Sequence, residues 1–143
     1  MEEENIKEEW KTWEPVSDLS EKYYIESVSN DLKKGLKIVV CDEKNEKKKV
    51  IITFEYAISS YKWTNETFRL DTAAFLDEKY GKKFYTKWTF FKVTNSSYLQ
   101  LLSKESSGIA DYYSLIHFAI IESNSILDII ASYEPNVEFV EDK

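Results

Sequence analysis

Short runs in which apolar and polar residues alternate are the feature that most constrains this fold. Residues 23–28, after the pair Tyr23-Tyr24, and residues 50–56 show the period of two that is typical of a strand with one buried face, and the largely apolar residues 36–41 also indicate a strand. The last two runs flank residues 42–49, a very polar segment that indicates a hairpin with an exposed tip. These runs predict an antiparallel sheet that is solvated or lightly covered on one side.

The other elements are predicted from periodicity, caps and breakers. Helices are predicted over 3–13, over 72–80 with Asp71 or Thr72 as N-cap and Gly81 as the stop, from Ser96 or Ser97 towards Gly108, and over 126–133. Strands are predicted over 84–93, over 115–121 as the central strand, and over 137–140 at an edge, with a loop over 61–69. The expected fold class is α+β, a five- or six-stranded, mainly antiparallel sheet with three or four helices packed on it.

The length and the scarcity of breakers favour a single domain over residues 1–143. The chain has three Gly and two Pro, and no stretch has the composition of a linker. Residues 1–9 are expected to be either disordered or a loosely docked acidic helix. Trp10 and Trp13 would share a helical face with Ile6, which favours docking on the body of the domain, with a partner-binding anchor as the alternative.

Charge and hydropathy narrow the choice of partners. The net charge is −7, and residues 1–31 carry the whole excess, with ten acidic residues against three lysines. Such a field disfavours nucleic acid and anionic membranes and favours basic proteins, unless the acidic end is only a solubilising tail. The acidic start and the lack of an apolar run of about 20 residues lead us to expect a cytoplasmic protein.

Cysteine and histidine, two residue types that are common in catalysis, occur once each. Cys41 is the one cysteine and is expected to be a buried, inert thiol in a strand. His117 is the one histidine, and its place in the apolar run 115–121 favours a structural role over that of a general base. No phosphate-binding loop, metal motif or nucleophile motif is found, so we expect a protein that is not an enzyme and has no cofactor and no metal.

Arg69 is the one arginine, and it follows an aromatic segment that contains Tyr61 and Trp63. A guanidinium group binds carboxylates in a bidentate manner more readily than an ammonium group does. Arg69 is therefore the best candidate for a carboxylate contact, either inside the protein, with Glu66 or Glu55 as conceivable partners, or to another protein.

The second half resembles small bacterial immunity proteins, which are encoded as partners of secreted polymorphic toxins. The resemblance spans residues 84–140 and rests on four segments: Trp88-Thr89-Phe90-Phe91-Lys92-Val93, Ser97-Tyr98, His117 to Asn124 leading into Ile126-Leu127-Asp128, and Glu134-Pro135-Asn136-Val137-Glu138-Phe139. It implies an intracellular protein with an antiparallel sheet flanked by helices, which binds and blocks one cognate toxin. It supplies no functional motif to transfer to these positions.

The leading hypothesis is a non-enzymatic protein-binding module, of the immunity type, whose partner is a basic toxin. The partner-binding residues expected from sequence are Trp10, Trp13, Glu8, Glu9, Tyr61, Trp63, Glu66 and Arg69. The alternative is a small-molecule binding domain in which Tyr56, Trp63, Tyr85 and Trp88 line a pocket between sheet and helices. A third, weaker hypothesis is a hydrolase or transferase that uses His117.

Overall fold

A computed structural model describes residues 8–141, which form two antiparallel sheets and three α-helices. The strands are β1 (Glu9–Thr12), β2 (Tyr23–Asp31), β3 (Gly35–Asp42), β4 (Asn45–Phe54), β5 (Ser60–Asn65), β6 (Phe90–Thr94), β7 (Ile116–Ile121), β8 (Ser125–Ala131) and β9 (Asn136–Glu141). The helices are α1 (Leu70–Tyr80), α2 (Lys83–Thr86) and α3 (Ser97–Glu105), with 3-10 turns at Glu66–Arg69 and Ile109–Tyr112.

The two sheets and the helices form three layers. The five-stranded sheet has the order β1-β6-β7-β8-β5, and the four-stranded sheet has the order β2-β3-β4-β9. Their facing sides enclose one hydrophobic core, to which Phe54 and Ile52 contribute from the four-stranded sheet and Phe118 and Leu127 from the five-stranded sheet. A second core, which includes Leu76 of α1 and Phe91 of β6, fills the space between the five-stranded sheet and the helices. The five-stranded sheet is thus covered on both faces.

The turn between β2 and β3 shows how local sequence sets one hairpin. The Asp31 carboxylate accepts hydrogen bonds from the backbone N–H groups of Lys33 (2.7 Å) and Lys34 (3.0 Å). Gly35 follows with φ +86°, and a Cβ atom there would lie 2.0 Å from the carbonyl oxygen of Phe54. Glycine is therefore required where β3 begins beside β4.

The predicted helix over 126–133 is wrong, because these residues form β8 and the start of the following turn. All seven residues of β8 are buried. Leu127 and Ile129 face the core between the sheets, whereas Ile126 faces the helices. A strand that is covered on both faces loses its alternation, and the one acidic residue, Asp128, produced a spacing that resembles a helical stripe.

Four further predictions need correction. Residues 9–12, predicted as part of a helix over 3–13, form β1, and residues 1–7 lie outside the described part of the chain. The predicted loop over 61–69 begins with β5, an edge strand paired with β8. The predicted strand over 84–93 is divided between α2 and β6. Helix α1 begins at Leu70, and its N-cap is Arg69, not Asp71 or Thr72 as predicted.

The fold class is α+β, and the remaining elements are present with some shifted bounds: β4 begins at Asn45, inside the segment 42–49 predicted as an exposed tip, and ends at Phe54, two residues before the predicted end at 56. Strands cover 23–28, 36–41 and 50–54, and β7 is the central strand of its sheet. The helix that Ser96 caps, the stop at Gly81 and the edge strand β9 are also present. One sheet of five or six strands is expected, whereas residues 8–141 form two sheets of five and four strands. The difference arises because the sequence pattern does not identify β1, β5 and β8 as strands.

The core between the sheets should dominate stability. We expect Ile52→Ala, at a side chain with 0% exposure, to lower the free energy of unfolding by about 2–5 kcal/mol through lost burial and a residual cavity. Ile109→Ala makes the same change at a side chain that is 57% exposed and should cost less than about 0.5 kcal/mol. Urea denaturation of both variants measures this, and equal losses would contradict the assigned core.

Candidate functional site

A chain of four polar side chains crosses the helix-facing side of the five-stranded sheet. Ser96 lies at the start of α3, His117 on β7, Asp128 on β8 and Arg69 at the end of the 3-10 turn before α1. The Ser96 Oγ lies 2.7 Å from His117 Nδ1, and His117 Nε2 lies 2.7 Å from Asp128 Oδ1. Arg69 donates to Asp128 Oδ2 at 2.6 Å and, through its Nε, to the Thr72 hydroxyl at 3.1 Å.

This chain compensates a buried charge. The Asp128 side chain is 0% exposed, and burial alone would raise its pKa. The interactions with His117 and Arg69 outweigh burial and place the pKa of Asp128 below its ordinary value. Every group has a partner when Ser96 donates its hydroxyl proton to Nδ1 and the imidazole carries its own proton on Nε2. The chain is therefore a satisfied polar network within a hydrophobic layer.

Serine, histidine and aspartate occur in this network, but their arrangement does not suit nucleophilic catalysis. Ser96 is only 1% exposed, and its Oγ accepts the backbone N–H of Leu99 at 3.1 Å as the N-cap of α3. The rings of Tyr98 and Trp10 pack edge-on against His117, with centroid distances of 5.5 and 6.1 Å. A substrate carbonyl has no access to the serine oxygen, so the geometry supports a structural role.

Lys22 forms a second polar anchor close to this network. Its ammonium group donates to the carbonyl oxygens of Tyr85 (2.5 Å), Trp88 (2.9 Å) and Ile121 (2.7 Å). Burial lowers the pKa of Lys22 to about 8, and the charges of Glu43 and Glu122 oppose that shift. Because three carbonyls occupy the three donors, Lys22 ties the segment after α2 to β7 and is not free to act as a nucleophile.

A cleft of about 280 Å³ lies beside both anchors, between α1, α2 and the turn that joins β7 to β8. Its floor is apolar and includes the buried side chains of Leu76, Ile121 and Ile126. Its charged lining consists of two cationic and three acidic residues: Lys22, Arg69, Glu43, Glu66 and Glu122. The cleft is thus a concave apolar surface with a charged rim.

The N-terminal partner-binding candidates have structural contacts. Trp10 is 2% exposed in the helix-side core, and Trp13 is 9% exposed in the core between the sheets, because strand geometry sends the two side chains to opposite faces. Glu8 accepts hydrogen bonds from the Trp10 indole N–H (2.9 Å) and from the backbone N–H of Ser97 (2.9 Å). Glu9 is exposed on β1 opposite Thr94. The two tryptophans therefore dock on the domain and are not presented to a partner.

Of the partner-binding candidates from the middle of the chain, three are exposed and one is used in an internal ion pair. Tyr61 and Trp63 are exposed on edge strand β5, and the Trp63 indole N–H donates to Ser125 Oγ at 2.7 Å. Glu66 is exposed at the rim of the cleft. Arg69 makes the internal carboxylate contact, but its partner is Asp128, not Glu66 or Glu55, and the contact runs through one nitrogen.

The four aromatic residues of the small-molecule hypothesis lie apart. Tyr85 lines the cleft, Trp63 lines a separate depression with Tyr24 and Asn65, and Trp88 lines another with Trp13. Tyr56 packs on Tyr133 at a centroid distance of 5.7 Å. Residues 8–141 contain no group of three or more His, Cys, Asp or Glu side chains that could hold a metal ion. Cys41 is a buried free thiol, and burial, together with its hydrogen bond to Glu26, raises its pKa.

Comparisons of the chain with protein-family models, with curated proteins and with solved structures gave no match. Within the described residues, no helix is long and apolar enough to cross a membrane. Function therefore has to be argued from the geometry of the chain itself.

Sequence reasoning found three members of the network separately and missed the connection. Ser96 was expected as an N-cap, His117 as a core residue and Arg69 as a carboxylate partner. Asp128 was missed because it was placed on a helix. Its position as the one acidic residue among the apolar residues 126–131 was a usable signal, since a buried carboxylate requires a cation and the chain has one arginine.

The Arg69–Asp128 pair can be tested with a double-mutant cycle. Arg69→Met should lower the free energy of unfolding by about 3 kcal/mol, because it leaves a buried carboxylate without its cation. Adding Asp128→Asn to that variant should recover part of the loss. The measurement is urea denaturation of the two single variants and the double variant. Strictly additive losses would show that the two residues do not act as a pair.

Stability should fall at acid pH in a way that depends on Asp128. The folded state holds the pKa of Asp128 below its ordinary value, so the unfolded chain binds the proton first as pH falls. The stabilisation is present above the unfolded pKa of about 4 and is lost as pH falls through the lower, folded pKa. We expect the difference in unfolding free energy between the wild type and Asp128→Asn to narrow below about pH 4. A difference that is constant with pH would contradict this.

Proposed function

We propose that this protein is a non-enzymatic protein-binding module of the immunity type, which binds and neutralises a basic toxin. The observation that carries the proposal is a segment, residues 61–70, in which several large apolar side chains are exposed on a well-anchored backbone. Trp63 is 49%, Phe68 78% and Leu70 65% exposed. We refer to the exposed side chains of Tyr61, Trp63, Glu66, Phe68 and Leu70 as the 61–70 surface.

The 61–70 surface is held firmly from behind. All six residues of β5 are paired with β8, and the backbone N–H of Glu66 donates to the carbonyl of Asn124 at 2.8 Å. The next turn is capped by Asn65, which accepts from the backbone N–H of Thr67, and is anchored by the Arg69–Asp128 pair. A preorganised surface loses little conformational entropy when it binds, which favours its use in recognition.

The composition of the surface suits a protein partner. Tryptophan and tyrosine are enriched in binding hot spots, and phenylalanine is enriched in interfaces generally. Contiguous exposed apolar side chains often mark an interaction site. The net charge of −7 favours a basic partner through steering, and the resemblance of residues 84–140 implies that the partner is a cognate toxin.

The proposal predicts which substitutions weaken binding. Affinity capture from the native host with the tagged protein should recover one basic protein in stoichiometric amount, identified by mass spectrometry. The double variant Trp63→Ala/Phe68→Ala should reduce recovery at least about tenfold, because each hot-spot aromatic contributes about 2 kcal/mol or more.

A matched control is available on the far edge of the other sheet. Phe139→Ala on β9 removes a phenylalanine that is 49% exposed and should leave recovery unchanged. Circular dichroism and thermal unfolding of each variant confirm that folding is retained. Capture that is insensitive to the Trp63→Ala/Phe68→Ala variant, or equally sensitive to Phe139→Ala, would show that the 61–70 surface is not the interface.

A further inference from the structure

We infer that the cleft between α1, α2 and the β7–β8 turn receives a single arginine or lysine side chain of the basic partner. The inference rests on the proposed function and adds to it the place and chemistry of one anchoring residue. The cleft is continuous with the 61–70 surface, because Glu66 and Leu70 belong to both.

The size of the cleft suits a side chain. Its volume of about 280 Å³ lies just below the range of roughly 300–1,000 Å³ that is usual for drug-sized ligands and cofactors. Leu76, Ile121 and Ile126 are buried at its floor. Arginine and lysine place their aliphatic stems on apolar surface of this kind and keep the charged end near water.

The charges around the cleft favour a cation. Of its two cationic residues, Arg69 is paired with Asp128 behind the wall, and Lys22 is bound by three carbonyls and lies in the field of Glu122 and Glu43. Both cations are thus already compensated by the protein.

With Arg69 paired to Asp128, the cleft has one further cation, Lys22, against three carboxylates, and the two exposed ones, Glu43 and Glu66, lie at its rim. Glu66 is exposed and makes no side-chain hydrogen bond to another residue within 8–141. Glu43 is also exposed. Within residues 8–141 its side chain accepts one side-chain hydrogen bond, from the hydroxyl of Ser123 at 2.8 Å. An apolar floor beneath two available carboxylates is complementary to a long side chain with a cationic end.

The test uses a pair of probes of nearly the same shape, one cationic and one neutral. N-acetyl-arginine methylamide is titrated into the ¹⁵N-labelled full chain, and amide shifts are followed by NMR. N-acetyl-citrulline methylamide, a neutral compound of nearly the same shape, is the control. We expect the arginine compound to bind in the millimolar range, with shifts concentrated at Leu70, Ala73 and Ser123, and the citrulline compound to bind about fivefold more weakly.

Protein variants separate the rim from the floor. Glu43→Gln/Glu66→Gln should bring the arginine compound down to the affinity of the citrulline compound. Ala73→Phe, which places a ring in the cleft from α1, should abolish binding of both. Glu138→Gln replaces an exposed residue of β9 and should leave the binding of both compounds unchanged. The heteronuclear spectrum of each variant shows whether the fold is intact.

Defined outcomes would overturn the inference. Failure of the arginine compound to bind, equally tight binding of the citrulline compound, or binding that survives Ala73→Phe would each contradict the inference. N-acetyl-norleucine, which has an apolar side chain and a free carboxylate, is a further control, and tighter binding of this acidic compound would also contradict it. The two proposals fail separately. If partner capture depends on Trp63 and Phe68 but the arginine compound does not bind, only the cleft assignment is wrong. If the compound binds but capture ignores these residues, the proposed interface is wrong.

Discussion

The buried carboxylate of Asp128 is the constraint on which one side of this structure depends. A charge with no exposure, in a sheet covered on both faces, is tolerated only if other groups bind both oxygens. Arg69 binds one oxygen from the turn before α1, and His117 binds the other from β7. Ser96 extends the same chain to the start of α3. One hydrogen-bonded line therefore fixes the positions at which two helices meet the sheet.

This constraint connects stability to the proposed function. The segment that carries Arg69 also carries Glu66, Phe68 and Leu70, so the ion pair that satisfies Asp128 holds exposed apolar side chains in place. On the other side of the cleft, Lys22 joins α2 and the segment after it to β7 through the carbonyl oxygens of Tyr85, Trp88 and Ile121. Both walls of the cleft are thus set by buried polar contacts. The charged residues nearest the core are used for structure, and those at the rim are available for binding.

The candidate site could be predicted only in part. Tyr61, Trp63 and Glu66 are exposed, as a binding surface requires, and their aromatic and acidic character is visible in the chain itself. Trp10 and Trp13 were chosen for the same residue type, but they are buried in different cores because a strand, unlike a helix, sends residues three apart to opposite faces. Arg69 was correctly expected to bind a carboxylate, yet its partner lies 59 positions away. Spacing along a chain does not indicate such a contact.

The sequence by itself determined the hairpin of β3 and β4, a serine cap for α3 at Ser96 or Ser97, the break at Gly81 and the α+β class, because each follows from local patterning, capping or backbone freedom. The tertiary structure alone decided that residues 125–131 form a strand. It also decided that β5 pairs at the sheet edge and that the strands divide into two sheets. The physical reason is that these features depend on what covers each face. A strand buried on both sides shows no alternation, and an edge strand such as β5 is recognisable only when its neighbour is known.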